Sequence, residues 1–540
     1  MDTDESTAKP KGRYRRPFWH VLRGAGLIAI LPVIFTGVAL VLLIDRDIDA
    51  PRWLQTRIEA RASDMMQGGA LVFESIYINV GRDLHPRVRL VETAISDANG
   101  VLVARIPSIE GVMSPRGVLF EGSVLMQDVA LQGAQINLTR AKDGSFAFAF
   151  GDGGLNTAPS FAALLDQSDQ VFEQPALAAL EQIRATGLVV NYTDIRAGRS
   201  WTVDGGVIDL DLRGDKTSVL GDFAVLSGGA GITRLTFQYD SPRGALEANI
   251  AVSVSDARAR DIGSQSQAMR WLSDVDAPIS VAMRTTLDAE GALGPLSATL
   301  ELGRGALQPN AATDPLAFDS ANTYLTYDPS SHLISFDQIE VMAPAGRVAA
   351  TGRAYLRDFD EGVPQALVAQ FNFTDLVLAA GGLYHDGLTV PPLSADLRLR
   401  FDPFAVEIGQ VAMVEGDTHL VASGHVTAAP EGWQVSLNAT VDEVSPSRVV
   451  ELWPAAVKPG SRQWLLDNVS SGVLTDTRVD LRATQGQKPV IAVRYEFSDA
   501  TARFMRSMPL MQGASGVGVI QDNDNFEFRI IQLQKQGQIF

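Results

Sequence analysis

The chain has no cysteine among its 540 residues and only six histidines. The first absence removes disulfide frameworks, thiolate zinc sites and cysteine nucleophiles together. Basic residues are in deficit: 45 Lys+Arg stand against 63 Asp+Glu, for a net charge of −18. A nucleic-acid binder carries a basic stripe to neutralise phosphates, so that class is excluded. No phosphate-binding Walker loop, no Gly-x-Ser-x-Gly elbow and no dinucleotide fingerprint occurs. Gly228-Gly229-Ala230-Gly231 reads as a glycine turn only. Hydrophobic residues make up 46% of the chain, too many for a disordered one.

What is present begins with a membrane signal. Lys9, Lys11, Arg13, Arg15, Arg16 and Arg23 precede an uncharged apolar run from Gly24 to Ile44. About 20 apolar residues at roughly 1.5 Å rise each cross a bilayer core. The basic flank places the N-terminus in the cytoplasm and everything after Ile44 on the outer side. The run is longer than a signal-peptide core and lacks an Ala-x-Ala-like cleavage site, so a retained single-pass anchor is expected. Pro32 is tolerable within such a span.

Beyond Pro51 a short helix is expected over 52–67, ended by Gly68-Gly69. The hydrophobic period then changes to two. Ile208, Leu210 and Leu212 alternate with Asp209 and Asp211. Leu296, Ala298, Leu300 and Leu302 alternate with polar residues, as do Leu393, Ala395, Leu397, Leu399 and Phe401, and Trp433, Val435, Leu437, Ala439 and Val441. Each run reads as a strand with one apolar and one polar face. Asp143-Gly144, Asp204-Gly205-Gly206 and Asp240-Ser241-Pro242-Arg243-Gly244 read as turns. Strand following strand predicts antiparallel meanders. Helical interruptions are expected over 159–185, 264–272 and 447–469.

An ungapped internal repeat relates residues 333–354 to residues 405–426. Gln338 matches Gln410, Ala350 matches Ala422, Gly352 matches Gly424, and Ile334, Phe336, Ile339, Val341 and Val348 match Val406, Ile408, Val411, Met413 and Leu420. A weaker pair relates Leu131–Phe146 to Gly187–Trp201, each a strand, a glycine-bearing turn and an aromatic opening the next strand. Such repetition predicts a stacked array. Alternating runs suggest roughly 25–30 strands, which at about 4.8 Å apart would stack to roughly 120 Å. With one apolar face per strand, the sheet either forms separate sandwiches or curls into a long trough with an apolar floor. An exposed apolar trough needs a filler, and acyl chains would serve.

The chain resembles the AsmA-like superfamily of inner-membrane-anchored periplasmic proteins. The resemblance is carried by the N-terminal anchor, by Leu131, Gly133, Arg140, Asp143, Gly144 and Phe146, and by Leu188, Tyr192, Asp194 and Trp201. Within that superfamily it is similar to the YhdP type, through the helical segment Val449–Pro454, Pro459–Asn468 and Ser471-Gly472, followed by Tyr495–Phe504 and Met508-Pro509. The resemblance implies a mainly β fold, an N-terminal transmembrane helix followed by a long antiparallel repeating β-groove with a few helical inserts. It also implies phospholipid movement between inner and outer membranes. Family members usually run much longer, and residues 526–540 read as the first half of another repeat, so a truncated chain is expected. The domain expectation is a cytoplasmic basic tail over 1–23, the transmembrane helix over 24–44, an N-terminal β region over 45–190, a repeating β-groove over 191–445, and the helical insert with the start of a further repeat over 446–540.

Candidate chemistry is sparse. Asp417, His419 and His425 share a neighbourhood but lack the three or four converging ligands a metal requires. Asp209 and Asp211 read as the solvent face of a strand rather than an acid–base pair. Asp522-Asn523-Asp524-Asn525 reads as a turn, without the glycine and spacing of a calcium loop. No catalytic residue, cofactor or metal is expected. The candidate groove-lining residues are Leu397, Leu399, Val435 and Leu437. The expected partners are phospholipid acyl chains and the inner membrane, with outer- or inner-membrane proteins as further partners and no nucleic acid. The leading expectation is a lipid conduit supporting outer-membrane homeostasis. The alternative is a TamB-like scaffold for outer-membrane protein assembly, offering an open sheet edge. An envelope enzyme would need converging carboxylates or a metal set on one strand face.

Overall fold

The computed structural model describes residue 44 and residues 46–533, apart from 66–69, 84, 97–101, 115–124, 143–144, 151–155, 159–178, 196–197, 227–230, 244, 265–266, 361–362, 381–383, 385–386, 456, 504–506, 508 and 521–525. The expected membrane span at 24–44 lies outside the described residues but for Ile44, as do the basic tail, Asp143-Gly144, the turn at 522–525 and residues 534–540. Among the described residues no helix is long and apolar enough to cross a membrane. The chain is mainly β and divides into two compact units: the residues before 197 with Gly205–Arg213, and residues 198–204 with those from Gly214 onward.

The first unit opens with the helix Arg52–Met65, close to the expected span. Its strands Ser75–Val80, Pro86–Ser96, Leu102–Met113 and Met126–Gln132 pair antiparallel in chain order. Ala50, Phe73 and Ile76 form one buried cluster there; Ile106, Ala134, Ala185 and Leu188 form another. The expectation of purely antiparallel pairing fails in this unit. The strand Gln182–Asp194 runs parallel to both Met126–Gln132 and Gln135–Arg140. More than forty residues separate them in sequence, ample for the crossover that a parallel pair demands. The two halves of the weaker repeat are thus neighbours, and Asn191 Nδ2 donates to its counterpart Asn137 Oδ1 at 3.0 Å. Gly133 and Gly187 both have positive φ and lie side by side, a Cβ on Gly187 falling 3.7 Å from Gly133 N.

That strand also corrects the end of the helix expected over 159–185, of which residues 159–178 lie outside the described residues. Residues 182–185 are extended because the ladder to Asp128–Leu131 satisfies their backbone groups, which overrides local helical preference. The Asp204-Gly205-Gly206 turn is likewise not a turn. It lies inside the strand Arg199–Asp211, with Gly205 at positive φ.

The second unit is an antiparallel ladder. From Lys216–Leu226 to Phe526–Leu533 the long strands pair with their successors: Lys216–Leu226, Ile232–Pro242, Ala248–Arg258, Pro278–Leu287, Leu296–Leu302, Ser320–Asp328, Leu333–Ala343, Gly346–Asp360, Val363–Leu378, Leu393–Arg400, Ala405–Glu415, Thr418–Ala429, Gly432–Val444, Val469–Thr484, Val490–Ala502 and Met511–Ile520. A three-stranded side sheet of Val275–Asp276, Gly305–Leu307 and Leu316–Phe318 accompanies it. The single helix expected over 264–272 is instead an α-helix, Ala259–Gly263, and a 3-10 helix, Gln267–Asp274. Gly263 packs so tightly that a Cβ would stand 2.6 Å from Ser273 N. The helices Pro446–Leu452 and Pro459–Asn468 fill the expected span 447–469.

The internal repeat is a repeat of backbone geometry. The register slips between Phe336 and Ile339 in one copy and between Ile408 and Val411 in the other, a β-bulge at the same place in each. Gly352 lies opposite Phe336 and Gly424 opposite Ile408. A Cβ on Gly352 would lie 2.4 Å from Gln370 O, and one on Gly424 2.0 Å from Ser436 O. The repeated glycine lets the next strand close on the bulge.

Candidate functional site: an apolar floor with two covers

The antiparallel register of the second unit aligns its apolar alternates into rows that cross strand after strand. One row runs through Phe237, Val252, Met283, Ala298, Leu325, Phe336, Gly352, Phe371, Ala395, Val411, Ala422, Ala439, Val479, Val493 and Ile520, each paired with the next. No polar side chain interrupts it. The candidate residues fall into the adjoining rows. Leu397 and Leu437 share a row with Ala369, Ile408, Gly424 and Leu481. Leu399 and Val435 share the next, with Leu367, Val406, Val426 and Ala483. The structure therefore brings all four onto one face, across strands that sequence spacing alone could not align.

These residues are half-buried. On this face the fully buried positions are mainly alanines, such as Ala354, Ala369 and Ala395, screened by larger neighbours. The opposite face carries polar runs such as Thr351, Asn372, Ser394 and ion pairs such as Arg400–Glu407 at 2.9 Å and Arg398–Asp358, with exposed Tyr355, Val368 and Val421 among them.

Two inserts cover parts of the floor. In the first, Ala259, Leu272 and Val275 pack with Ala257, Ala277 and Ile279 over Val254, Val281 and Leu300. The loop after Gly305–Leu307 reaches much further. Asn310 Nδ2 donates to Ala428 O at 3.0 Å, Asp314 N to Gln485 Oε1 at 2.9 Å, and Trp433 Nε1 to Asp314 O at 2.7 Å. Along the ladder, eight strand steps separate Leu296–Leu302 from Gly432–Val444. That is about 40 Å of sheet at about 4.8 Å per step. The meeting requires a coiled sheet, and roughly 20–25° of twist per step accumulates to about half a turn. Arg270, on the 3-10 helix, pairs with Asp402 at 3.0 Å in the same zone. Burial and the nearby Asp402 carboxylate push Asp274 up to about 6, against the pull of Arg270.

The second cover is the helix pair Pro446–Leu452 and Pro459–Asn468. Ser445 caps the first helix by accepting from Arg448 N at 3.2 Å. Arg448 anchors it to the sheet through Glu415, with Nε to Oε2 at 3.0 Å and Nη2 to Oε1 at 3.2 Å, and holds Glu451 at 2.8 Å. Trp453 Nε1 donates to Val457 O at 2.6 Å, and Arg462 donates to Trp453 O and Val450 O, which ties the helices together. Sequence reasoning marked this segment but not the cavity beneath it, or the loop that reaches Trp433.

The other candidates are taken up in surface pairing. Asp209 accepts from Gln182 Nε2 at 2.8 Å and from Arg184 Nε at 2.9 Å. Hydrogen bonds from Arg213 hold Asp211 down to about 2. His419 lies 3.8 Å from Asp442, both exposed, and His425 stands opposite Glu407 and Ser436 on the polar face. Among the described residues no three His, Asp or Glu side chains converge. Comparison with protein-family models, with curated proteins and with solved structures finds no match to this chain.

Proposed function

We propose that this protein is a lipid conduit of the cell envelope, anchored in the bacterial inner membrane by residues 24–44. The bulk of the chain stands in the periplasm and carries phospholipid between inner and outer membranes. The observation that supports the reading is the uninterrupted apolar row across the second unit with its two adjoining rows, half-buried along the span between the two inserts. Such a surface is costly in water and is stabilised by an apolar occupant. Solvation of acyl chains, at about 0.8 kcal/mol per buried methylene, is then the working mechanism, and no residue performs chemistry. Neighbouring positions on the floor are nearly equivalent, so a chain can slide from row to row without a deep trap.

The test is native mass spectrometry with lipid extraction on the full chain purified from membranes. Co-purified phospholipid, lost in the double variant Leu399→Asp/Leu437→Asp while the fold persists, supports the conduit. A lipid-free wild-type chain that still melts cooperatively refutes it.

A further inference from the structure

The helix pair Pro446–Asn468 does more than cover the floor. Beneath it lies a cavity of about 90 Å³, roofed by Val449, Trp453 and Trp464 and floored by Val473, Val493 and Phe497. Small residues maintain the space: Gly472, Ala500 and Ala502 occupy positions where larger side chains would fill it. An apolar cavity of this size excludes water and takes hydrocarbon. Its floor is continuous with the open one, because Val493 and Ile520 end the long apolar row and also line the cavity.

Three lining residues carry hydroxyls, Ser461, Thr477 and Tyr495, and Thr477 stands apart. Thr477 is 6% exposed, and its Oγ1 has no hydrogen-bond partner among the described residues. An unpartnered buried hydroxyl is costly, so a native chain keeps one where something else satisfies it. Thr477 pairs with Val441, in the row of Met413 and Leu420, so the hydroxyl sits in line with the floor.

We propose that this cavity is a binding site for one ester-linked acyl chain. The first methylenes lie under the two tryptophans, and the acyl carbonyl oxygen accepts from Thr477 Oγ1. The site rests on the conduit reading and makes the helix pair a station along the floor, where a lipid is held by a directional contact as well as by solvation.

The full chain is mixed with vesicles of phosphatidylethanolamine and phosphatidylglycerol containing a phosphatidylethanolamine with a diazirine near one ester. After irradiation, labelled peptides are mapped by mass spectrometry. The expected result is label both on the open floor, residues 393–441, and on residues 446–502. Ala500→Phe fills the cavity and removes the second label only. Thr477→Val keeps the shape, lowers the second label about fivefold, the loss expected for one hydrogen bond, and leaves the fold at least as stable. Floor label without label at 446–502 overturns this site and leaves the conduit standing, and so does label there that neither variant changes. Absence of label from both regions overturns the conduit reading itself.

Discussion

The repeated glycine offers a sharp test of how this sheet is built. In Gly424→Ala the new Cβ would stand 2.0 Å from Ser436 O and 2.9 Å from Leu437 Cα, both backbone atoms of the adjacent strand. Neither can rotate away, so the two strands must separate locally. Overpacking of this kind costs about 1–3 kcal/mol, and loss of one ladder hydrogen bond adds about 1 kcal/mol. The expected destabilisation is therefore about 2–4 kcal/mol, and the same at Gly352, whose Cβ would meet Gln370 O at 2.4 Å. Gly460 supplies a control of opposite sign. It sits in the helix Pro459–Asn468 with nothing near its Cβ position, and alanine there should stabilise by up to about 1 kcal/mol. Denaturant unfolding of the three variants, with far-UV circular dichroism to confirm the sheet, makes the comparison. Equal midpoints for Gly424→Ala and Gly460→Ala would refute the assignment of a steric role to the repeated glycine.

Three further outcomes are expected. Asn310→Ala removes the donor to Ala428 O and the acceptor for Ala312 N and Thr313 N, and should cost about 1–3 kcal/mol, with faster amide exchange confined to 308–315 and to the hairpin end at 428–433; unchanged exchange at 428–433 would show that the loop does not hold the coil. Asp274 is an acid whose folded pKa is raised, so its ionisation opposes folding above about 6, and the penalty fades as pH falls toward 3.8. Asp274→Asn should accordingly raise the thermal midpoint above pH 6 and lose that advantage below 3.8, and a pH-independent difference would contradict the assignment. Arg448→Lys cannot keep two hydrogen bonds to Glu415 while holding Glu451, and should lower stability by about 1 kcal/mol and speed limited proteolysis between residues 453 and 460.

Periodicity determined much by itself. Alternation of apolar and polar residues marked Leu296–Leu302, Leu393–Arg400 and Gly432–Val444 as strands, because a period of two leaves no other way to bury one face. The offset between 333–354 and 405–426 marked a repeated unit, and that unit keeps even its bulge. The choice of Leu397, Leu399, Val435 and Leu437 as lining residues followed from the same alternation. Tertiary structure decided what local pattern does not encode. A parallel partner for Gln182–Asp194 depends on long-range pairing, so residues 182–185, helical by local preference, became strand. Asp204-Gly205-Gly206 carries turn chemistry yet continues a strand, since its neighbours supply the ladder. Accumulated twist brings the loop at 308–315 to Trp433 and Gln485, a contact between residues more than one hundred positions apart. The cavity under Trp453 and Trp464 exists only because the helix pair lies across the ladder. Sequence sets which face of each strand is apolar; the register and coil of the second unit's ladder set which of those faces meet.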